Sequence, residues 1–261
     1  MRGNKVHRGL VLQKRDRHLL NELAVMRLFD RQQAQVVGPL QSVTRANACL
    51  LRLTQAGLLN RFYVGTYNGG KKAIYSLSSR GAAVAQIQSP KLLQRRQNKL
   101  VVGDPFVDHQ LEINQVYLSV KYRPIPAAGV RFKDWISFSH PLSVASPIIP
   151  DGYFELGIPD KILACFLEID LGTETAKVWK PKIESYIRFA VSEEFERRFH
   201  RNQFRVLVIT SSLRRLQALR KLVRQYTDKI FWFTTFESIK HDGFWSTVWL
   251  RPDGDQPQSL L

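Results

Sequence analysis

Two neighbouring stretches of this sequence read Ile149-Pro150-Asp151-Gly152-Tyr153-Phe154 and Leu163-Ala164-Cys165-Phe166-Leu167-Glu168-Ile169-Asp170. Both are rich in aliphatic and aromatic residues, which is the pattern of a buried strand. Asp151 opens the first stretch, and Glu168 and Asp170 close the second, so each strand brings a carboxylate into an otherwise apolar sheet. Charged groups are seldom buried without a purpose, and these acids indicate where the function of the chain is to be sought.

Length and composition predict a folded protein of one large or two ordinary domains, since 261 residues with 44% hydrophobic content can form a packed core. No run of roughly 18 apolar residues exists to span a bilayer, and the N-terminus lacks the apolar segment of a secretory signal. We therefore expect a cytoplasmic protein without a membrane partner. Cys49 and Cys165 lie in apolar runs and are expected to be buried free thiols.

The net charge of +17 is concentrated in the first part of the chain. Residues 1–100 contain 18 Lys and Arg against 3 Asp and Glu, whereas residues 101–261 contain 21 against 19. Such a basic field attracts polyanions, and nucleic acid is the commonest polyanion in a cell. A basic amphipathic membrane helix is the competing interpretation, but these basic residues are spread over several predicted elements.

Residues 16–90 follow the order helix, helix, helix, hairpin, helix, after a basic arm at 1–15. Asp30 and Ser42 are N-cap residues for the second and third helices, and Asn68-Gly69 marks the turn of the hairpin. The predicted helices cover 16–29, 31–37, 43–56 and 82–88, and the predicted strands cover 60–66 and 71–77. This order resembles a winged helix-turn-helix domain, as do the strings Leu-x-x-Leu-x-x-Ala-Gly-Leu-Leu (from Leu50) and Tyr-x-Leu-x-x-x-Gly (from Tyr75).

That resemblance implies binding of double-stranded DNA, with the third helix in the major groove. The candidate base-contacting residues are Gln41, Ser42, Thr44, Arg45, Ala48 and Arg52. Arg45 is the best suited of them to contact a base. The candidate phosphate-contacting residues are Arg61, Asn68, Lys71, Lys72 and Arg80. The alternative, a winged helix that binds protein and merely exposes these side chains to solvent, is disfavoured by the charge bias.

A linker is predicted at 91–104, where proline, basic residues and glycine separate two periodic segments. Beyond it, 105–250 is predicted to form a second domain, and 251–261 a disordered tail. The predicted helices are 108–121, 173–189 with an extension to 201, and 213–225; the predicted strands are 130–138, 151–156, 162–170, 204–210, 229–235 and an edge strand at 244–250. A fully apolar strand followed by a helix indicates a mixed sheet with covered faces, hence an α/β fold.

Acids on neighbouring strands, with a third acid from a preceding helix, can hold Mg²⁺ or Mn²⁺ near a phosphodiester. Asp151 and Glu168 are the candidate metal ligands, and Glu112 is the candidate third acid. The pattern resembles the PD-(D/E)xK nuclease superfamily. The resemblance implies a nuclease-like α/β domain in which Asp151 and Glu168 match the two strand acids and Glu112 the acid of the first helix.

One position departs from that superfamily. Its lysine usually stands two residues after the second acid, where this chain has Asp170. Without the cation, the site lacks a group to orient water and stabilise charge. Lys177, Lys180 or Lys182 could supply it from the following helix, with Lys182 the tentative choice; equally, a third acid can mark a site that no longer cuts. Both alternatives remain open from the sequence.

A longer set of strings resembles the replication-relaxation family of plasmids and other mobile elements. The strings are Pro150 to Leu156, Phe166 to Thr175, Lys182-x-x-x-Tyr186 and His109-Gln110-Leu111-Glu112-Ile113-Asn114. The resemblance implies a winged-helix N-terminal half and a role in DNA replication or relaxation, without specifying a reaction.

Simpler interpretations exist for several of these residues. Asp170, Thr173 and Glu174 could cap the following helix, since acids and Thr favour a helix N-terminus. Asp151 could be a turn residue after Pro150, and His109 a packing residue. No nucleophile-elbow string and no phosphate-binding Gly-Lys-Ser loop occur in the sequence.

Three hypotheses follow for the function. The first is a double-stranded DNA-binding protein of a mobile element, whose α/β domain acts on DNA or on other replication, relaxation or recombination proteins. The second is an active Mg²⁺- or Mn²⁺-dependent DNA endonuclease. The third is a transcriptional regulator with a sensing C-terminal domain. The sequence is compatible with a monomer or a homodimer.

Overall fold

A computed structural model describes residues 11–66, 69–88, 100–101 (backbone), 104–159 and 161–261. The chain divides into two units, Met1–Leu118 and Ser119–Leu261. The predicted basic arm lies mostly outside the described residues, as do Asn68 at the hairpin turn and most of the predicted linker. No helix in the described ranges is both long and apolar enough to cross a lipid bilayer.

In the first unit, three helices precede a β-hairpin. The elements are α1 Lys14–Met26, β1 Leu28–Asp30, α2 Arg31–Val37, α3 Val43–Gln55, β2 Leu59–Gly65, β3 Lys71–Leu77, α4 Ser79–Val84 and β4 Leu100–Val101. Asp30 caps α2 by accepting from the Gln33 amide, and Ser42 caps α3 by accepting from the Arg45 amide. Gly57, just after α3, has a φ of 72°, a conformation that glycine adopts without strain. The local signals thus lead to the predicted helix order.

The sequence prediction of one helix over 16–29 is wrong at its end. Helix α1 stops at Met26, Arg27 has a φ of 64°, and Leu28–Asp30 forms strand β1. Strand β1 pairs antiparallel with β3, giving the sheet order β1-β3-β2-β4. Apolar spacing alone could not show this, because the pairing depends on a strand far along the chain.

Helix α5, Pro105–Lys121, crosses the division between the two units. Its first part is anchored in the first unit, where the Asn114 side chain donates to the Leu28 carbonyl at 2.6 Å and the Gln33 side chain donates to the Leu111 carbonyl at 2.9 Å. Val107 and Leu111 pack with buried residues of β1, β2 and β3. The division therefore falls within α5 and not at the expected linker, 91–104, because the buried polar and apolar faces of this helix find their partners in the first unit.

The second unit is built on a mixed sheet of strand order β5-β6-β7-β8-β9. Its elements are β5 Arg131–Ile136, β6 Gly152–Ile158, β7 Lys161–Asp170, α6 Ala176–Val191, α7 Glu194–Phe199, β8 Arg205–Thr210, α8 Leu213–Arg224, β9 Phe231–Thr235 and α9 Phe236–Asp242. The pairs β5/β6 and β6/β7 are antiparallel, while β7/β8 and β8/β9 are parallel. The mixed α/β class predicted from the sequence is confirmed.

One face of this sheet is covered by α6, α7 and α8, whose apolar residues pack around Phe166 of β7. Helices α6 and α8 each follow a strand of the parallel pair β7/β8, so both begin at the edge where Asp170 and Thr210 end their strands. That edge carries the acids that the sequence singles out. Cys49 and Cys165 are buried free thiols, as predicted.

The end of the chain differs from its prediction. In place of the expected edge strand, 244–250 contributes two isolated bridges, Phe233 to Leu250 and Trp249 to Gln258, and the unpredicted helix α9 precedes it. Within 251–261, for which disorder was expected, Gln258 bridges to Trp249, and Leu260 is buried and accepts from Arg205 at 2.7 Å. These contacts hold the segment in place, and its polar composition does not reveal them.

Candidate functional site

The pairing of β6 with β7 places Asp151 beside Glu168. The last paired residues are Gly152 and Leu167, and Asp151 and Glu168 are the next residues on each strand. The Asp151 amide donates to the Leu167 carbonyl at 3.0 Å, and the Asp151 carboxylate accepts from the Ile169 amide at 2.7 Å. The two acids that the sequence selected as metal ligands are thus neighbours at one edge of the sheet.

Glu168 is buried, with 1% of its surface exposed. One carboxylate oxygen accepts from the Lys182 ammonium at 2.8 Å, and the other accepts from the Tyr186 hydroxyl at 2.6 Å. Burial, reinforced by the charge of Asp151, raises the pKa of Glu168 to about 7, although Lys182 acts in the opposite direction. The Tyr186 hydroxyl is itself buried next to this carboxylate, and both effects raise its pKa well above the ordinary value.

Lys182 of α6 joins two acids. Its ammonium also contacts both carboxylate oxygens of Glu174, at 3.0 and 2.9 Å, and lies 5.1 Å from the centre of the Trp179 ring. Burial lowers the pKa of Lys182, but Glu168 and Glu174 outweigh burial and raise it overall. Of the three lysines that the sequence offered in place of Asp170, Lys182 is the one whose ammonium meets an acid of the sheet; Lys177 and Lys180 are exposed.

Asp170 faces the same layer of helices as Glu168 but has a different set of partners. The Arg215 guanidinium at the start of α8 donates to its two oxygens at 2.8 and 2.7 Å, and the Trp179 indole donates at 2.8 Å. The Gly172 amide donates at 2.8 Å. Burial alone would raise the pKa of Asp170, but the hydrogen bonds from Arg215 and Trp179 prevail and lower it.

The acids of β7 are engaged by other partners in this arrangement. Both carboxylate oxygens of Glu168 and both of Asp170 already accept hydrogen bonds, and an ammonium or a guanidinium lies against each acid. Within the part of the chain that the structure describes, no group of three or more His, Cys, Asp or Glu side chains could hold a metal ion. As they stand, the side chains form a network of ion pairs that joins α6 and α8 to the end of β7.

Glu112 belongs to the first unit, in helix α5. Burial raises the pKa of Glu112, opposed by Lys72 and reinforced by Asp108 and Asp30, all of them residues of that unit. His109 lies half-buried on the same helix, α5. The charged neighbours that shift the pKa of this expected third acid are therefore residues of the first unit.

Sequence reasoning missed Arg215, which makes a two-point contact with Asp170. A signal for it existed: β7 and β8 are parallel, so the start of α8 must lie at the edge where β7 ends. The prediction of a mixed sheet did not specify that these two strands are neighbours, and Arg215 could not be assigned to Asp170 without that knowledge.

In the first unit, α3 exposes the side of the helix that was expected to contact DNA. Thr44, Arg45 and Ala48 are exposed, as is Asn47, which the sequence interpretation did not select. The Arg45 guanidinium donates to the Gln41 side chain at 2.6 Å on the surface. Ser42 uses its hydroxyl for the helix cap. The opposite side of α3 is buried through Ala46, Cys49, Leu50 and Leu53.

Two of the basic candidates in this unit are engaged in ion pairs. The Arg52 guanidinium donates to Asp16, which is fully buried, at 2.6 Å. The Lys72 ammonium lies 2.8 Å from the carboxylate of Asp30, the capping residue of α2. These contacts give Arg52 and Lys72 a structural role that the sequence did not reveal.

The hairpin side chains are in mixed surroundings. Lys71 and Arg80 are exposed, whereas Arg61 is half-buried with its guanidinium 5.5 Å from the centre of the Tyr63 ring. Asn68 lies outside the described residues. Among the basic residues predicted to contact DNA, Arg45, Lys71 and Arg80 are accordingly exposed and have no ion pair to a described acid.

A family model described as Replication-relaxation matches residues 18–206 of the chain. The match includes α3, the β2–β3 hairpin, β6, β7 and the helix that carries Lys182, and it ends before Arg215. Searches of curated proteins and of solved structures found no match.

Proposed function

Because the chain belongs to the replication-relaxation family, we propose that it binds double-stranded DNA through α3 and the β2–β3 hairpin. Membership of this family points to a role in the replication or relaxation of plasmid or mobile-element DNA. In the proposed function, the first unit is a winged helix-turn-helix that selects the site, and the second unit is a nuclease-like α/β domain that acts on the bound DNA or on partner proteins.

The exposed face of α3 is the observation that carries this proposal. It presents Thr44, Arg45 and Asn47 to solvent while the other face is buried, which is the arrangement needed by a helix that reads the major groove. Arg and Asn are the side chains that pair with guanine and adenine in two-point contacts. The charge of this part of the chain, 18 basic against 3 acidic residues over 1–100, would attract the DNA backbone.

A selection from random duplexes, followed by binding titrations with the selected and a scrambled duplex, tests the proposal. We expect Arg45→Ala to reduce the ratio between the two affinities by about tenfold, since a good base contact contributes ~1–3 kcal/mol of discrimination. Lys71→Ala should weaken binding to both duplexes alike, because phosphate contacts do not depend on sequence. If Arg45→Ala and Lys71→Ala have the same effect on that ratio, α3 is not the reading helix.

A second candidate function is hydrolysis of DNA at Asp151 and Glu168. It is favoured by one observation, the Lys182 ammonium 2.8 Å from Glu168, which brings a lysine to the second acid although position 170 is Asp. Such an activity requires Glu168 to release one of its present partners, Lys182 or Tyr186, because both of its oxygens are engaged.

Supercoiled plasmid incubated with the protein and Mg²⁺ or Mn²⁺ tests this second candidate. Nicking that is abolished by Asp151→Ala and by Glu168→Ala would support it. Nicking that survives both substitutions, or no nicking under conditions where the protein binds the plasmid, would leave DNA binding as the function of the chain.

A further inference from the structure

Helix α8 has a basic outer face. It contains five basic residues and no acidic residue. Its apolar residues Leu216, Leu219 and Val223 are buried against the sheet, and Arg214 and Lys221 are exposed on the opposite side. These two residues are seven positions apart, which corresponds to about 10 Å along a helix and to the same face.

Helix α6 extends this basic surface. Helices α6 and α8 contact each other and cover the same face of the sheet, and neighbouring packed helices have axes roughly 8–10 Å apart. Lys177 and Lys180 are exposed near the start of α6, beside the start of α8. The acid on the outer face of α6, Glu184, comes one turn later. We call the four exposed residues Lys177, Lys180, Arg214 and Lys221 the outer basic cluster.

The outer basic cluster is not neutralised within the fold. The inner cations of the same helices, Lys182 and Arg215, are paired with Glu168 and Asp170, and Arg220 and Arg224 are paired with Asp255 and Asp253. The four residues of the cluster have no ion pair with any residue that the structure describes. Their charge is available to a partner.

We propose that the outer basic cluster binds the phosphate backbone of double-stranded DNA and forms a second DNA contact in Ser119–Leu261. Duplex DNA presents one negative charge about every 1.7 Å of its axis, so a cluster about 10 Å across faces several phosphates together. A lipid surface is the weaker fit, because an interfacial helix inserts its apolar face into the bilayer, and that face of α8 is already buried. The contact is independent of sequence and shares only its ligand with the proposed function of α3.

The test compares two variants of the full chain that lose the same charge. In the cluster variant, alanine replaces Lys177, Lys180, Arg214 and Lys221. In the control variant, alanine replaces Arg123, Arg197, Lys229 and Lys240, which are also exposed and without an ion pair to a described residue. Binding to a duplex of random sequence is measured by fluorescence anisotropy at several NaCl concentrations, and melting curves verify that both variants are folded.

We expect the cluster variant to bind at least about tenfold more weakly than the wild type at low salt. The slope of log K against log salt should become shallower by about 2–4, because each lost phosphate contact removes about 0.9 from it. The control variant should keep the wild-type slope. The cluster variant should keep the wild-type ratio of affinities for the selected and scrambled duplexes, which Arg45→Ala reduces.

Several outcomes would overturn the proposal. If the cluster and control variants have equal slopes while Arg45→Ala still reduces sequence preference, the second contact is wrong and the function proposed for α3 stands. If Arg45→Ala leaves the sequence preference unchanged while the cluster variant has a shallower salt slope than the control variant, the function proposed for α3 is wrong and the second contact stands. A wild-type protein that binds no duplex, or one whose cluster mediates binding to vesicles of anionic lipid and not to DNA, contradicts the second contact directly.

Discussion

Glu168 and Asp170 lie two residues apart on the same face of β7, yet their pKa values are shifted in opposite directions. Glu168 is buried beside Asp151 and shares Lys182 with Glu174, so burial prevails and raises its pKa to about 7. Asp170 receives a two-point contact from Arg215 and a further hydrogen bond from Trp179, so its charged form prevails. Deeper burial and the neighbouring charge of Asp151 raise the pKa of Glu168, whereas the additional hydrogen-bond donors around Asp170 lower its pKa.

Asp170→Asn should destabilise the protein at pH 7 by about 2–4 kcal/mol, because the Arg215 guanidinium loses the carboxylate that faces it. A lowered pKa means that the ion pair stabilises the fold above the unfolded value of about 3.9 and that this contribution is lost as the pH falls through the folded value. The difference in free energy of unfolding between wild type and Asp170→Asn should therefore become smaller below about pH 4.

Urea unfolding at pH 7 and below about pH 4 measures the difference in free energy of unfolding between wild type and Asp170→Asn. Asp253→Asn is the matched control. Asp253 pairs with Arg224 on the surface, where both side chains are mostly exposed. The control should change the free energy of unfolding by less than about 0.5 kcal/mol. Equal effects of the two Asp→Asn substitutions would show that the Asp170 pair is no stronger than a surface pair.

Lys182→Met should destabilise the protein by about 3 kcal/mol at pH 8, because it leaves the Glu168 carboxylate buried without its cation. The loss should be smaller at pH 5, since a carboxyl group with a raised pKa can bind a proton there. The double variant Glu168→Gln/Lys182→Met should be more stable than the sum of the single effects predicts, with a coupling of about 1–3 kcal/mol. Additive effects in chemical denaturation would contradict a direct Glu168–Lys182 interaction.

Among the elements, α3 has two sides with different surroundings. Its buried side joins α1 through Arg52 and Asp16, and its exposed side presents Arg45. The sequence does not distinguish the two arginines, because both lie in the same predicted helix of a basic segment. The difference arises because Asp16, fully buried near the start of α1, is brought within 2.6 Å of Arg52 by the packing of the helices.

Arg52→Ala should therefore lower the free energy of unfolding by about 1–2 kcal/mol, since Asp16 would remain buried with fewer partners. Arg45→Ala should change it by less than about 0.5 kcal/mol, because Arg45 is exposed. Thermal or urea unfolding of the two variants measures both values. A DNA-binding defect in Arg52→Ala that comes without any loss of stability would instead favour the direct contact predicted from the sequence.

On the scale of the whole molecule, the positive charge is unevenly shared. Met1–Leu118 contains 18 basic and 6 acidic residues, whereas Ser119–Leu261 contains 21 and 16. In the second unit, the basic residues with an ion pair to a described acid are Lys182, Arg201, Arg215, Arg220 and Arg224, and the four residues of the outer basic cluster have none. Both units can thus offer cations to DNA, but the first carries most of the net charge.

Salt should consequently weaken DNA binding steeply. If six or more phosphates are contacted, raising NaCl from 0.05 to 0.2 M should reduce the affinity by about a thousandfold or more. Anisotropy titrations of the wild type across this range measure the slope. An affinity that stays constant over the range would contradict the electrostatic basis of the proposed function.

Local pattern was sufficient for most of the helices and for the hairpin. Capping residues such as Asp30 and Ser42 act within one turn of the chain, and helical apolar spacing reflects a single buried face. The pair Asp151 and Glu168 could likewise be anticipated, since two consecutive antiparallel strands bring nearby residues together. Interactions between residues close in sequence are encoded where they occur, which is why these predictions succeeded.

The partners of the acids in the opening stretch were decided by the tertiary structure. Pairing of β7 with β8 brings Arg215 to Asp170, and packing of α6 on the sheet brings Lys182 and Tyr186 to Glu168. The charges that act on Glu112 are those of Lys72, Asp108 and Asp30 in the first unit. Carboxylates alone look like metal ligands in a sequence; which cation meets them depends on distances between elements that are far apart along the chain, and only the folded chain sets those distances.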